Sequence, residues 1–300
     1  MRTVAARGRW VWGISGVVTA ALIAAPGVHL ITSAGTSAGP EQPLGGGTVT
    51  RTMTVPQPVT SLTVQSYGAS VQVTGGPVSQ VQVSETMGTS PGGGTPSVAA
   101  SVSGDHLTVG SPACQSSQDC ASFAVTVPRD VTVAVASESG PVTVSGVAGV
   151  NLDSGGGSIT VSRIDGPVTA TSDGGPVQLA DVTGAAVRVD TGGGAVTASG
   201  LVVGAATFSA DGGPVQVNGR VYSLQAYSDG GSATITLSAP PAAVTINSDG
   251  GPATLRVPGG PYALLADSDG GPEMVYIATS PSAQRSITVT SGGGSLQISP

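Results

Sequence analysis

The sequence predicts an all-β chain wound into one single-chain β-solenoid of roughly 19-residue coils, preceded by one N-terminal hydrophobic helix. Three features carry that expectation. A short motif returns at a near-constant period, apolar residues sit two apart on either side of it, and one N-terminal stretch is uncharged. The motif is cleanest at Ser172-Asp173-Gly174-Gly175-Pro176-Val177-Gln178-Leu179 and returns at Ala210-Asp211-Gly212-Gly213-Pro214-Val215-Gln216-Val217. Further copies surround Gly231, Gly251 and Gly271, with degenerate ones around Gly140, Gly157, Gly194 and Gly294. With the last glycine as marker, successive copies lie 17, 18, 19, 19, 18, 20, 20 and 23 residues apart.

The second and fourth residues after each marker are small or aliphatic, as at Val177/Leu179 and Val215/Val217. So are the seventh and fifth before it, as at Val168/Ala170 and Leu224/Ala226. A spacing of two is strand periodicity, with one face buried and one wet. Each unit therefore holds two short strands around a Gly-Gly corner, with a third apolar point at Val147, Ile164, Val182, Leu201 and Val221. Only the copy at Gly271 departs, with Glu273 in the first inward place; its pair is expected to shift by two, to Val275 and Ile277. Glycine suits a corner that needs positive φ, and proline suits a strand start where a missing donor is tolerated. So small a unit cannot bury a core alone, but stacked coils can. Right-handed winding is expected from the bias of parallel crossovers. A sandwich or propeller needs hairpins or a period of about 40 residues, and neither is present.

The chain has 47 glycines, 22 prolines and only 9% charged residues, yet its apolar ladders and 39% hydrophobic content argue against disorder from Thr48 onward. It contains no lysine. All 17 acids lie after residue 40, against seven arginines there, a net charge of 7 − 17 = −10. A surface that acidic excludes nucleic acid as the expected partner.

In chain order, residues 1–32 read as a cytoplasmic tip followed by a transmembrane or signal segment. Residues 11–31, opening at Val11 and closing at Ile31, carry no Lys, Arg, Asp or Glu, which is enough to cross a bilayer core of about 30 Å. Arg2, Arg7 and Arg9 place the N-terminus in the cytoplasm, and Trp10 and Trp12 sit where an interfacial belt would be. A retained anchor is the favoured reading. The alternative is a cleaved secretory signal with Thr32-Ser33-Ala34 as the site. Either way the remainder is exported.

Residues 33–47, rich in Ser, Gly and Pro, form a flexible linker. Residues 48–136 read as irregular first coils that cap the array, with strands near 49–55, 62–64, 71–73, 78–83, 107–109, 123–127 and 131–135. Cys114 and Cys120 are the only cysteines; an exported pair at this spacing reads as a disulfide pinning a loop. Residues 137–300 are the regular repeats, ending directly after Leu296/Ile298 with no cap apparent.

The candidate chemistry is sparse. Asp211, Asp229, Asp249 and Asp269 hold one place in four consecutive repeats, with Asp173 further back. Stacked about 5 Å apart, such carboxylates repel unless splayed into solvent or bridged by a cation. Calcium is the candidate cation, and turn-forming Asp-Gly is the competing reading; no other cofactor is expected. Ser154, Ser172, Thr191, Ser228, Ser248, Ser268 and Ser291 form a second ladder with no accompanying base, so they read as turn residues rather than nucleophiles. His106 stands alone beside a turn. Outward pairs such as Thr169/Thr171 and Thr288/Thr290 hint at a flat threonine array, but Arg188/Asp190 and Leu265/Asp267 interrupt it. Arg163, Arg188, Arg220 and Arg256 share no coil position, and Tyr222, Tyr227, Tyr262 and Tyr276 gather in the C-terminal repeats as one surface patch or as strand filler.

Several of these features together resemble the DUF4097 family of adhesin-like β-strand-repeat proteins, over about residues 48–300. They are the Arg/Trp-flanked N-terminus, Leu62-Thr-Val-Gln-Ser-Tyr-Gly-Ala-Ser-Val-Gln-Val, the Cys114–Cys120 loop, Val125-Thr-Val-Pro128 ahead of Val131-Thr-Val, and the serial Ser-Asp-Gly-Gly-Pro-Val units. The resemblance implies a β-solenoid ectodomain on actinobacterial-type cell-surface proteins.

The functional expectation is a membrane-anchored extracytoplasmic surface protein, adhesin-like or structural and not an enzyme. Its partners would be the membrane, through the N-terminal helix, and a cell-surface or envelope ligand. A secreted solenoid enzyme acting on polysaccharide is the alternative, and a regulatory ectodomain of the envelope is another.

Overall fold

The computed structural model describes residues 47–89, 99–110 and 122–300. The helix expected from Val11 to Ile31, the linker ahead of Gly47 and the Cys114–Cys120 pair lie outside them. Every element among the described residues is a strand, and no helix there is long and apolar enough to cross a membrane.

The regular part follows the motif. It comprises β8 (Thr132–Ser137), β9 (Val142–Ser145), β10 (Gly149–Ser154), β11 (Ile159–Asp165), β12 (Val168–Ser172), β13 (Val177–Thr191), β14 (Val196–Asp211), β15 (Val215–Asp229), β16 (Ala233–Leu237), β17 (Ala243–Asp249) and β18 (Ala253–Arg256), after β1 to β7. Each coil has a leading face before its glycine corner and a trailing face after it. In β13, β14 and β15 the strand continues through the third side into the next leading face. Pairing between coils is parallel and in register: Val142 lies opposite Ile159, then Val177, Val196, Val215, Ala233 and Ala253 follow in one column. That register is what buries the ladder. The inward pairs named from the spacing are 6% exposed or less through Val244/Ile246, and the third-side points Val147, Ile164, Val182, Leu201 and Val221 are buried with them. One apolar core runs from Val55 to Ile298. Burial of each Val or Leu contributes about 1.5–3 kcal/mol.

The N-terminal end holds β1 (Gly47–Val55), β2 (Ser61–Ser66), β3 (Val71–Gly76), β4 (Val81–Thr89), β5 (Ala99–Ser103), β6 (His106–Gly110) and β7 (Ser122–Pro128). The rung made of β2 and β3 is not outermost. It pairs with β6 and β7 on one side and with β8 and β9 on the other. Antiparallel strands then close this end, β5 on β6 and β4 on β7, with β1 on β4. His106 opens β6 and its Nδ1 shares a 2.7 Å hydrogen bond with Ser61 Oγ, so it belongs to the rung joint.

The C-terminal end repeats the interleaving. It contains β19 (Ala263–Asp267), β20 (Glu273–Val275), β21 (Ser286–Ser291) and β22 (Leu296–Ser299). The final strands lie inside the stack: β21 pairs with β17 and β19, and β22 with β18 and β20. The outermost rung is therefore β19–β20, and the 23-residue spacing before Gly294 holds the segment that turns back to fill the gap. Two expectations are corrected here. The chain does not finish at an open last coil. Nor does the Gly271 repeat shift by two, because Glu273 pairs with Leu296 and Val275 with Ile298. A carboxylate is tolerated at an inward register position because this rung ends the stack and Glu273 is exposed; its Oε1 accepts the Ser268 N–H at 2.9 Å. Leu264 and Ala266 are only partly buried for the same reason.

Because among the described residues β19 and β20 have no neighbouring strands except β21 and β22, truncation after Arg285 should release residues 259–285 as well. Hydrogen exchange there is expected to quicken at least tenfold while β10 to β15 keep their protection. Unchanged exchange in β19 would contradict the pairing.

Candidate functional site

The repeated corner gathers a buried hydroxyl and backbone carbonyls in coil after coil, and its two glycines serve different ends. Gly250 has φ 89°, a left-handed conformation that costs a residue with a Cβ about 1–2 kcal/mol. The marker Gly251 has ordinary φ, but a Cβ there would lie 1.9 Å from the Gly231 carbonyl oxygen of the neighbouring coil. The same close approach recurs at the other markers, so backbone contact explains the second glycine throughout, while positive φ explains the first at Gly212, Gly230, Gly250, Gly270 and Gly293 but not at Gly156, Gly174 or Gly193.

The serine ladder seals this joint. Ser248 Oγ is buried and lies 2.9 Å from both the Gly231 and Gly251 carbonyl oxygens, which one hydroxyl hydrogen serves together. Thr191 donates to Gly175 O at 3.2 Å and accepts from Gly194 N at 3.1 Å. Ser154 donates to Gly157 O, Ser172 accepts from Gly175 N, Ser228 donates to Gly213 O, Ser268 to Gly271 O and Ser291 to Gly251 O. Such hydroxyls are structural: they face no solvent. Ala210, 1% exposed, is the rung that lacks one.

The aspartates divide. Asp211, Asp229 and Asp249 do occupy neighbouring rungs and are exposed, so repulsion between them is weakened to about 1 kcal/mol by water. Asp269 does not continue their column, because β21–β22 is inserted and Gly292 follows Asp249. Asp269 instead belongs to the outermost rung, where its N–H donates to Asp267 Oδ1 at 3.0 Å. Among the described residues no group of three or more His, Cys, Asp or Glu could hold a metal ion.

The tyrosines do not form one patch. Tyr262 is fully buried and donates to Pro258 O at 2.6 Å, while Tyr222 and Tyr276 are more than 60% exposed at separate places. Tyr222, Val202, Arg220 and Pro240 border a shallow groove of ≈300 Å³ on the third side. The leading face is mixed, with an exposed Arg188–Asp190 ion pair at 3.7 Å.

The trailing face differs, and sequence reasoning passed over it. Gln72, Thr143, Thr160, Gln178, Thr197, Gln216, Thr234, Thr254 and Gln297 stack in unbroken register, one per rung. The column holds no charge in a region of net −10. The signal was available, since each residue is the third after its marker glycine from Thr143 onward. The outward threonines named from the sequence, such as Thr169 and Thr171, lie on the leading face.

Glu85 was also missed. It points into the N-terminal end beside Val81 and Val83, is 4% exposed, and its Oε1 is buried without a hydrogen-bond partner. Burial raises its carboxyl above the ordinary value, and Arg51, opposite it across β1–β4, offsets part of that rise.

A family model described as Toastrack DUF4097 matches residues 59–298. No curated protein matches the chain. Among solved structures, a Bacteroides fragilis protein named "a putative adhesin" is 12% identical with TM-score 0.43, the match covering 84% of this chain and 97% of that one. A Clostridium sporogenes protein named "a putative cell adhesion protein" is 10% identical with TM-score 0.23, covering 85% and 99% respectively.

Two predictions follow from the joint and the buried acid. Ser248→Ala takes the hydroxyl donor from the Gly231 carbonyl, Gly251 O keeping that of Ser291, and should cost about 1–3 kcal/mol, whereas Ala210→Ser should gain about 1 kcal/mol; thermal melts, at about 2–4 °C per kcal/mol, read both. Glu85 has a raised folded pKa, so its contribution favours folding in acid and is lost as pH climbs from the ordinary carboxylate value through the raised one. Glu85→Gln should therefore raise the melting temperature at pH 7 and flatten its fall between pH 4 and 7. An unchanged pH profile would place the dependence elsewhere.

Proposed function

The chain belongs to the DUF4097 family, described as Toastrack, and from that premise we propose that it is an extracytoplasmic surface protein of adhesin-like type. Residues 11–31 hold it to the membrane, the N-terminus stays in the cytoplasm, and the solenoid is presented outside as a stiff rod. The observation that supports this reading is the uncharged glutamine and threonine column of the trailing face, repeated rung after rung.

The mechanism is presentation. Side chains fixed at about 4.8 Å intervals on a rigid ladder offer many weak hydrogen bonds at once, with the scaffold's ordering cost already met on folding. Linked weak contacts gain strength by effective concentration rather than by any one site. A neutral column on an acidic body suits an uncharged, hydroxyl-rich envelope polymer, since little tightly held charge hydration must be shed. The acidic balance and the absence of lysine disfavour nucleic acid.

Labelled full-length protein, incubated with intact cells in calcium or in chelator, tests the reading. Saturable binding that ignores the chelator and falls at least tenfold on converting Thr197, Gln216 and Thr234 to arginine is the expected outcome. Binding abolished by the chelator would shift the contact to the aspartates. Absence of saturable binding would leave a passive envelope rod.

A further inference from the structure

We propose that the outermost C-terminal rung is a strand-acceptor edge for an extended segment of a partner protein, apolar along its inward side and basic at one end. The fold treats its two ends differently. Antiparallel strands are laid over the N-terminal rung, with β1 and β5 as their outer members, whereas among the described residues the parallel strands β19 and β20 are themselves outermost and pair on one edge. Among the described residues, four of the eight exposed large apolar side chains belong to this rung and its exit: Leu265, Met274, Val275 and Tyr276.

The chain itself begins the next rung and abandons it. Tyr262 N–H donates to Ala278 O at 3.1 Å, and Ser280 N–H donates to Tyr262 O at 2.9 Å, forming a parallel bridge opposite Thr279. Pro281 follows and the segment turns away toward β21. Ala263 N–H, by contrast, faces inward to Arg285 O at 2.8 Å. Backbone groups alternate along a strand, so Leu264 and Ala266 turn theirs to the same outer edge as Tyr262. No strand covers them among the described residues. A groove of ≈430 Å³ runs there between Leu264, Leu265, Thr279 and Pro281.

A guest strand that continues the interrupted rung would take those backbone bonds, as in strand addition to a sheet edge. Its inward side chains would rest on the partly buried Leu264 and Ala266, which calls for aliphatic residues. Charge selects the rest. Residues 259–285 carry Asp267, Asp269 and Glu273 against Arg285 alone, so a second copy of this end would be repelled and a lysine- or arginine-bearing strand attracted. The proposal rests on the surface reading above, but a peptide titration needs no cells, and the trailing-face variants lie off this edge, so the two can fail separately.

The test uses the full chain and an octapeptide alternating valine and lysine, followed by fluorescence anisotropy against a valine–glutamate counterpart. The lysine peptide is expected to bind at least tenfold more tightly. Ala266→Pro removes an outward N–H without touching the β21 ladder, and should weaken binding tenfold. Asp267→Asn with Asp269→Asn, which keeps the local hydrogen bond, should abolish the preference for lysine should the proline variant fold poorly. Equal affinity for both peptides, no binding, or indifference to both variants would overturn the proposal. Sedimentation revealing end-to-end pairs that Ala266→Pro dissolves would overturn it in favour of a second copy.

Discussion

Backbone-to-backbone contact at the glycine corner is the constraint on which this molecule depends. Parallel coils can stack in register only if each corner sits directly on the one beneath, and at the markers a single methyl group would collide with the neighbouring carbonyl. Once that contact is made, the position of every other residue in the coil is set by counting. The inward pairs fall in columns, the serine hydroxyls land beneath the corner carbonyls, and the outward residues align without needing to touch one another. The period in the sequence is the trace of that contact.

This explains which parts were legible. Inward and outward places depend on distance from a nearby glycine, so Val177, Leu179, Val215 and Val217 could be assigned from local spacing alone. The order of rungs could not. Ile287/Val289 and Leu296/Ile298 have the pattern of any coil, and nothing local marks them as lying beneath β19–β20 rather than above it. The 23-residue spacing was the only hint. The fourth aspartate was misplaced by the same ambiguity, since consecutive in sequence was taken to mean consecutive in space. Tyr262 was unreadable for another reason: its burial comes from the returning segment at Ala278–Ser280, which no periodicity announces. Glu85 was hidden because its strand runs antiparallel and outside the repeat.

Charge is distributed so that a repeat protein can be acidic without making every side of it so. Asp211, Asp229 and Asp249 stand at the corners, where water screens them, and the mixed pair Arg188–Asp190 lies on the leading face. The trailing face carries its column of amides and hydroxyls, with Arg256 as the charge beside it on β18. The C-terminal rung departs from both patterns, joining apolar side chains to carboxylates around unpaired backbone.

The interleaved C-terminal strands also bear on the order in which the coils can assemble. A chain delivered amino end first can stack β10 to β18 as they emerge, each rung on the last. The residues of β19 and β20 then arrive before the strands that will hold them, and must wait. Only the last fourteen or so residues, sliding between two rungs already present, complete the ladder on both sides. The ladder at this end is thus closed on both sides only once β21 and β22 are seated, and a chain cut ahead of them would present a different surface there.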